Sequence, residues 1–171
     1  MSELADLLER FRRGAEVLAM ATTGAAGPVL EFRVSEGSRS VRQMVCGLAD
    51  GEIVAAMWLR QILAEENPKL QAFDEAAWAT KLDYGKRKIS QALENFRRLR
   101  VENHELLKDQ PESAFERRAT HSKDGPTTLR RVVEQYAANL EDQVREIQAV
   151  RAAYREHRAQ QTAQAAAQPQ T

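Results

Sequence analysis

The chain has 171 residues, and its Lys+Arg 25 balance its Asp+Glu 25 for a formal net charge of +0 at pH 7. That length suits one domain whose core needs no disulfide or metal staple. The charge balance removes the basic footprint by which proteins hold nucleic acid through its phosphates. The single cysteine, Cys46, excludes an internal disulfide, and no run approaches the roughly 18 apolar residues that span a bilayer.

Leu4, Leu7, Leu8, Phe11, Ala15 and Leu18 recur at helical spacing and predict a first helix, with Ser2 as its cap and Gly24 as its stop. The opening MSELADLLER is acidic and amphipathic where a secretory leader would be basic and then continuously apolar, so a cytoplasmic location is expected. Gly24, Gly27, Pro28 and Gly37 then break the period. They make GAAGPVLEFRVSEGSR a long connection, expected to fold Val29, Leu30, Phe32 and Val34 back onto the core. Ser40, with Gln43 three residues on, reads as a capping box opening a second helix. Its face of Val41, Met44, Val45, Leu48, Ala55, Leu59 and Ile62 ends at Asn67-Pro68.

Asp74-Glu75-Ala76-Ala77-Trp78 reads as a capped single turn that drops Trp78 onto the bundle. A third long helix places Ile89, Leu93, Phe96, Leu99, Asn103 and Leu106 on one face and stops before Pro111. The polar stretch RRATHSKDGP is predicted as a loop. Thr127 or Thr128 then caps a last helix with the stripe Leu129, Val132, Val133, Tyr136, Leu140, Val144, Ile147 and Tyr154. Residues 1–156 are predicted to form the domain, and 157–171, with nothing to bury, a frayed or disordered tail. No strand or repeat is predicted. Four long amphipathic helices with one long crossover predict an all-α four-helix bundle.

Some residues break the apolar stripes. Asn139 and Gln143 lie one turn apart on the coreward arc of the last helix. Two inward side chains at i and i+4 are the arrangement by which bundles hold metal ions, usually through histidines, but neutral amide oxygens are weak ligands for transition metals. Hydrogen bonding between the two amides is the alternative. Glu52 falls near the centre of the apolar arc of the second helix, a costly place for a carboxylate unless it is paired or faces a polar cavity. Gly47 and Gly51 flank that arc and predict either close helix approach or the wall of a pocket. On the same wheel Asp50 points away. His104, His121 and His157 lack metal-ligand spacing and read as surface or loop residues, Cys46 as an inert core thiol, and the run ENFRRLRVE as a solvated face.

The segments SVRQMVCGLADGEIVAA, LRQILAEENP, AFDEAAWATKLDY and RRATHSKDGPTTLRRVVEQYAANLEDQVREI resemble the DinB/YfiT-like superfamily of bacterial four-helix-bundle proteins, from Leu4 to Ile147. The resemblance implies a bundle with a divalent metal, often nickel or zinc, held by one histidine of the second long helix and a His-x-x-x-His pair of the last. It also implies thiol-dependent transferase or hydrolase activity in relatives, and frequent homodimers. In this chain the histidine positions fall on Gly47, Asn139 and Gln143, so the three-histidine site cannot be assembled and no metal cofactor is expected.

Three functions follow as expectations. The first is a metal-free bundle binding a small polar ligand, or a low-molecular-weight thiol, in a residual pocket at Gly47, Asn139 and Gln143. The second is a transferase or hydrolase-like enzyme with Glu52 as candidate catalytic base. The third is a structural dimerisation module with Trp58 and Trp78 in core or interface. A homodimer without nucleic-acid or membrane partners is expected in each.

Overall fold

The computed structural model describes residues 2–167 and places four long helices around one core. Helix α1 (Glu3–Thr22) opens at Ser2, whose hydroxyl accepts from the Ala5 N–H. Helix α2 (Val41–Ala64) opens on the expected capping box. The Ser40 hydroxyl accepts from the Gln43 N–H, and the Gln43 side-chain Oε1 accepts from the Ser40 N–H, satisfying two orphan donors reciprocally. A short α3 (Glu75–Lys81) is capped by Asp74, followed by α4 (Ile89–Lys108) and α5 (Leu129–Ala167), whose first turn is capped by the Thr128 hydroxyl.

Helix α1 packs against α4 and α5, and α2 packs against the same two. Sequential helices α1 and α2 therefore sit diagonally, which is why the connection between them must be long. Leu30 of that connection is buried, and Val29 and Phe32 pack on the core, but Val34 is exposed, contrary to expectation. The core has two apolar halves, one around Leu18, Met44, Phe96 and Ile147 and the other around Phe11, Leu59, Leu107 and Val133.

The sequence reading missed a small three-stranded sheet. Strand β1 (Lys69–Leu70) pairs in parallel with β2 (Arg118–His121), which pairs antiparallel with β3 (Gly125–Thr128). The hairpin closes through 122–124, and Gly125, the first residue after the turn, stands at φ +80°, a left-handed conformation that favours glycine. Short polar strands such as RATH and GPTT carry no alternation, so only the Lys-Asp-Gly turn signalled them. The expected unstructured tail also differs in part: α5 continues to Ala167 as an exposed helix, and 168–171 lie outside the described residues. Among the described residues no helix is long and apolar enough to cross a membrane.

Candidate functional site

The face expected for α4 holds Ile89, Leu93, Phe96, Leu99, Asn103 and Leu106, with the Arg/Glu run solvated. The core instead takes Arg100 from that run, 1% exposed, while Leu99 is only half-buried. The reason lies on α2. Glu52 is also 1% exposed, and a lone buried carboxylate would carry a desolvation penalty of several kcal/mol. Arg100 answers it with two parallel bonds, Nε to Oε1 at 2.9 Å and Nη2 to Oε2 at 2.7 Å, while Asn103 Nδ2 donates to Oε1 at 3.0 Å. The third guanidinium nitrogen donates to the Phe11 carbonyl of α1 at 3.1 Å, and the guanidinium carbon lies 4.0 Å from the Phe11 ring centroid and 4.8 Å from that of Phe96. The pair thus bridges the two halves of the core and fastens α1, α2 and α4 together. With both oxygens engaged, Glu52 is a structural anion and does not offer the free carboxylate expected of a base.

The Arg100–Glu52 pair needs α1 close to α4, and Gly14 permits it. A Cβ at residue 14 would fall on Leu140 Cδ2 and within 2.8 Å of Arg100 Nη1. Of the two readings open for Gly47 and Gly51, close helix approach is not the one the structure supports. A Cβ at 47 would find only Tyr84 Cε2, at 3.7 Å, and one at 51 nothing within 4 Å. These glycines leave space open, and both line a cavity of about 380 Å³ between α2 and α5.

Glu52 forms part of the cavity wall, as do Trp58, Phe73 and Tyr136. Asn139 and Gln143 are on the same wall, so the structure brings Gly47, Asn139 and Gln143 together. No hydrogen bond joins the two amides. Asn139 is exposed, whereas Gln143 Oε1 is buried and has no hydrogen-bond partner among the described residues, a situation rare enough in folded proteins to need a cause. The Tyr136 hydroxyl is held above its ordinary pKa by burial and, secondarily, by the negative charge of Glu52, so it stays protonated as a donor.

His121, read from the sequence as a loop residue, also lines this cavity. The β1–β2 pairing draws the hairpin against α2, and the imidazole stands edge-on to Trp58 with centroids 5.1 Å apart. His104 is away from the cavity, and burial lowers its pKa. His157 lies 5.5 Å from Phe32, ring to ring, near the end of the bundle.

Asp50 does not point to solvent as predicted. It is 5% exposed and accepts from the Tyr84 hydroxyl at 2.9 Å and from Arg87 Nη1 at 2.7 Å, binding α2 to the turn after α3. Cys46 sits beside it, fully buried, its thiol pushed up by burial, as an inert thiol should be.

The donor set does not fit the metal that the family resemblance implies. Gly47 has no side chain, Asn139 and Gln143 offer amides, and His121 is the single imidazole on the wall. Among the described residues no three His, Cys, Asp or Glu side chains are placed to hold a metal ion. Transition metals in such sites select imidazole, thiolate or carboxylate over neutral amides.

Comparison with known proteins agrees with the fold. The chain is 30% identical over 108 residues to a protein of Oceanobacillus iheyensis named "Putative metal-dependent hydrolase", a match covering 63% of this chain and 62% of that one. It superposes with a TM-score of 0.81 on the solved structure of YfiT from Bacillus subtilis, described as a probable metal-dependent hydrolase with an unusual four-helix bundle topology. That alignment covers 88% of this chain and 87% of YfiT at 22% identity, and supports the likeness of fold. The profile of the DinB superfamily matches residues 10–147. Together with the bundle topology, this match over most of the chain establishes that the protein belongs to the DinB superfamily.

Proposed function

We propose that this chain is a DinB-superfamily protein that has lost the three-histidine metal site and uses the cavity between α2 and α5 to bind a small polar molecule. The observation that carries the reading is Gln143 Oε1, a buried acceptor without a partner among the described residues, on the wall of a cavity large enough for a small ligand. Leaving such an acceptor unpaired costs about 1–3 kcal/mol, a cost that a ligand N–H or O–H in the cavity would offset. Replacement at the positions aligned with metal ligands, Gly47, Asn139 and Gln143, supports the same reading, because all three face one space. The hydrolase names of the relatives imply metal chemistry for those proteins, and no step of that kind is assigned to this one. The reading takes the protein as a cytoplasmic homodimer. Its support is the family resemblance and, for the dimer, the exposed Ile53 and Met57 beside a groove that also includes Phe73 and Trp78.

The test is a thermal-shift screen of small amides, amino alcohols, sugars and low-molecular-weight thiols, with titration of any hit against wild type and Gln143→Leu. The variant is expected to fold with stability equal to or above wild type, since it removes an unpaired buried oxygen. It should also bind the hit about ten-fold more weakly, the equivalent of roughly 1.4 kcal/mol. A hit bound equally well by Gln143→Leu would contradict the assignment.

A further inference from the structure

Three aromatic side chains, Trp58, Phe73 and Tyr136, share the cavity wall with the carboxylates of Glu52, Glu75 and Asp124. The Trp58 and Tyr136 rings stand at 76° with centroids 6.1 Å apart, meeting at a corner rather than stacking. Aromatic faces are negative, and rings set at an angle near carboxylates are the surroundings in which proteins hold organic cations. Two polar groups on the wall are unclaimed. Among the described residues, Gln143 Oε1 is buried without a partner, and the Tyr136 hydroxyl makes no hydrogen bond.

The charges on this wall decide the sign of the ligand. Arg39 is taken up by Glu146 at 2.7 Å, and the exposed Lys123 stands next to Asp124 at the hairpin tip, so both cations have an opposite charge beside them. Glu52 is paired with Arg100, but Glu75, in the exposed first turn of α3, forms no ion pair among the described residues. Around the Tyr136 hydroxyl the balance is negative: Glu52 and Glu75 both raise its pKa, and each does so by more than Arg100 lowers it. An anionic ligand would be repelled there. A neutral alcohol would satisfy Gln143 with its one donor but leave the field unanswered, whereas an ammonium brings both the charge and several donors.

We propose that the ligand of this cavity is a small primary or secondary organic amine bound as its cation. An N–H donates to Gln143 Oε1, the apolar body lies between Trp58, Phe73 and Tyr136, and the charge is answered by Glu52 and Glu75. This amine class rests on the cavity being the binding site, as proposed above, and narrows that reading to one charge class. Burying a cation carries a desolvation penalty, which the carboxylates, the aromatic rings and the Gln143 acceptor together offset. The volume of about 380 Å³ has room for an arylalkyl body.

Probes of one shape and different charge separate the cases: 2-phenylethylamine, protonated at neutral pH like a lysine side chain, neutral 2-phenylethanol and anionic phenylacetate. Each is titrated into the ¹⁵N-labelled full chain and followed by proton–nitrogen correlation spectra, which give the affinity and locate the probe. The amine should bind about ten-fold more tightly than the alcohol, within the range of a partly desolvated cation on aromatic rings, and phenylacetate most weakly. The Gln143 side-chain amide and Trp58 indole N–H signals should move as the amine binds. Glu75→Gln, a change at an exposed position, should weaken the amine about three-fold and leave the alcohol unchanged.

Alcohol or phenylacetate binding as tightly as the amine overturns the amine class and leaves the ligand-binding reading intact. Amine-induced shifts that bypass Gln143 and Trp58, or no saturable shift with any of the probes, overturn it as well, while the broader screen with Gln143→Leu judges the ligand-binding reading separately.

Discussion

Replacing Arg100 by alanine is expected to destabilise the protein by about 3–5 kcal/mol, the usual cost of leaving one member of a buried ion pair without the other. The change leaves the buried Glu52 carboxylate with the Asn103 amide but no cation, frees the Phe11 carbonyl and removes the guanidinium from between the Phe11 and Phe96 rings. Urea unfolding followed by circular dichroism measures it. The double variant Glu52→Leu/Arg100→Met should recover much of the loss, because an apolar pair of similar volume no longer carries the desolvation penalty of two charges. If Arg100→Ala were as stable as wild type, the pair would not be the cross-link described here.

The second large effect concerns Gly14, where helix propensity and packing oppose each other. Alanine in a helix interior gains about 1 kcal/mol over glycine. At Gly14 that gain should be overwhelmed, because the added methyl collides with Leu140, which is buried, and with the buried Arg100 guanidinium, which is held by its bonds to Glu52 and the Phe11 carbonyl. Overpacking of this kind costs about 1–3 kcal/mol, so Gly14→Ala should be less stable than wild type. Gly51→Ala provides the opposite sign: its methyl meets nothing within 4 Å, and the propensity gain should appear nearly whole. Matched unfolding curves of the two variants separate a glycine required by close helix approach from one that only widens a cavity. Equal effects at the two positions would contradict the distinction.

The two glycines mark the boundary of what the sequence could convey. Capping at Ser2, Ser40, Asp74 and Thr128 and the main apolar stripes are local properties, legible from neighbours three or four residues apart, and they place the helices correctly. Arg100 was missed because a charged run reads as solvated when taken alone. Yet its position one turn after Phe96 and three residues before Asn103 puts it on the same inward face. The buried Glu52, some fifty residues earlier, was the signal that a cation had to be found, and spacing cannot express such a long-range demand. Asp50 failed likewise, since its partners Tyr84 and Arg87 arrive from the turn after α3 and not from its own helix.

The candidate cavity was half legible. Gly47, Asn139 and Gln143 could be aligned with expected ligand positions, and the folded chain brings them to one wall. His121 could not be placed there, because its approach depends on a parallel pairing of β1 and β2 that a two-residue strand does not announce.

The central claim, that this DinB-superfamily member works without the metal that its relatives' names invoke, is tested most directly by metal content. The measurement is elemental analysis of the untagged, chelator-free protein, with the Gly47→His/Asn139→His/Gln143→His variant purified in parallel to verify that the three positions converge. The account predicts nickel and zinc well below one per chain in wild type and close to one per chain in the variant. Stoichiometric nickel or zinc in the wild-type protein would contradict it.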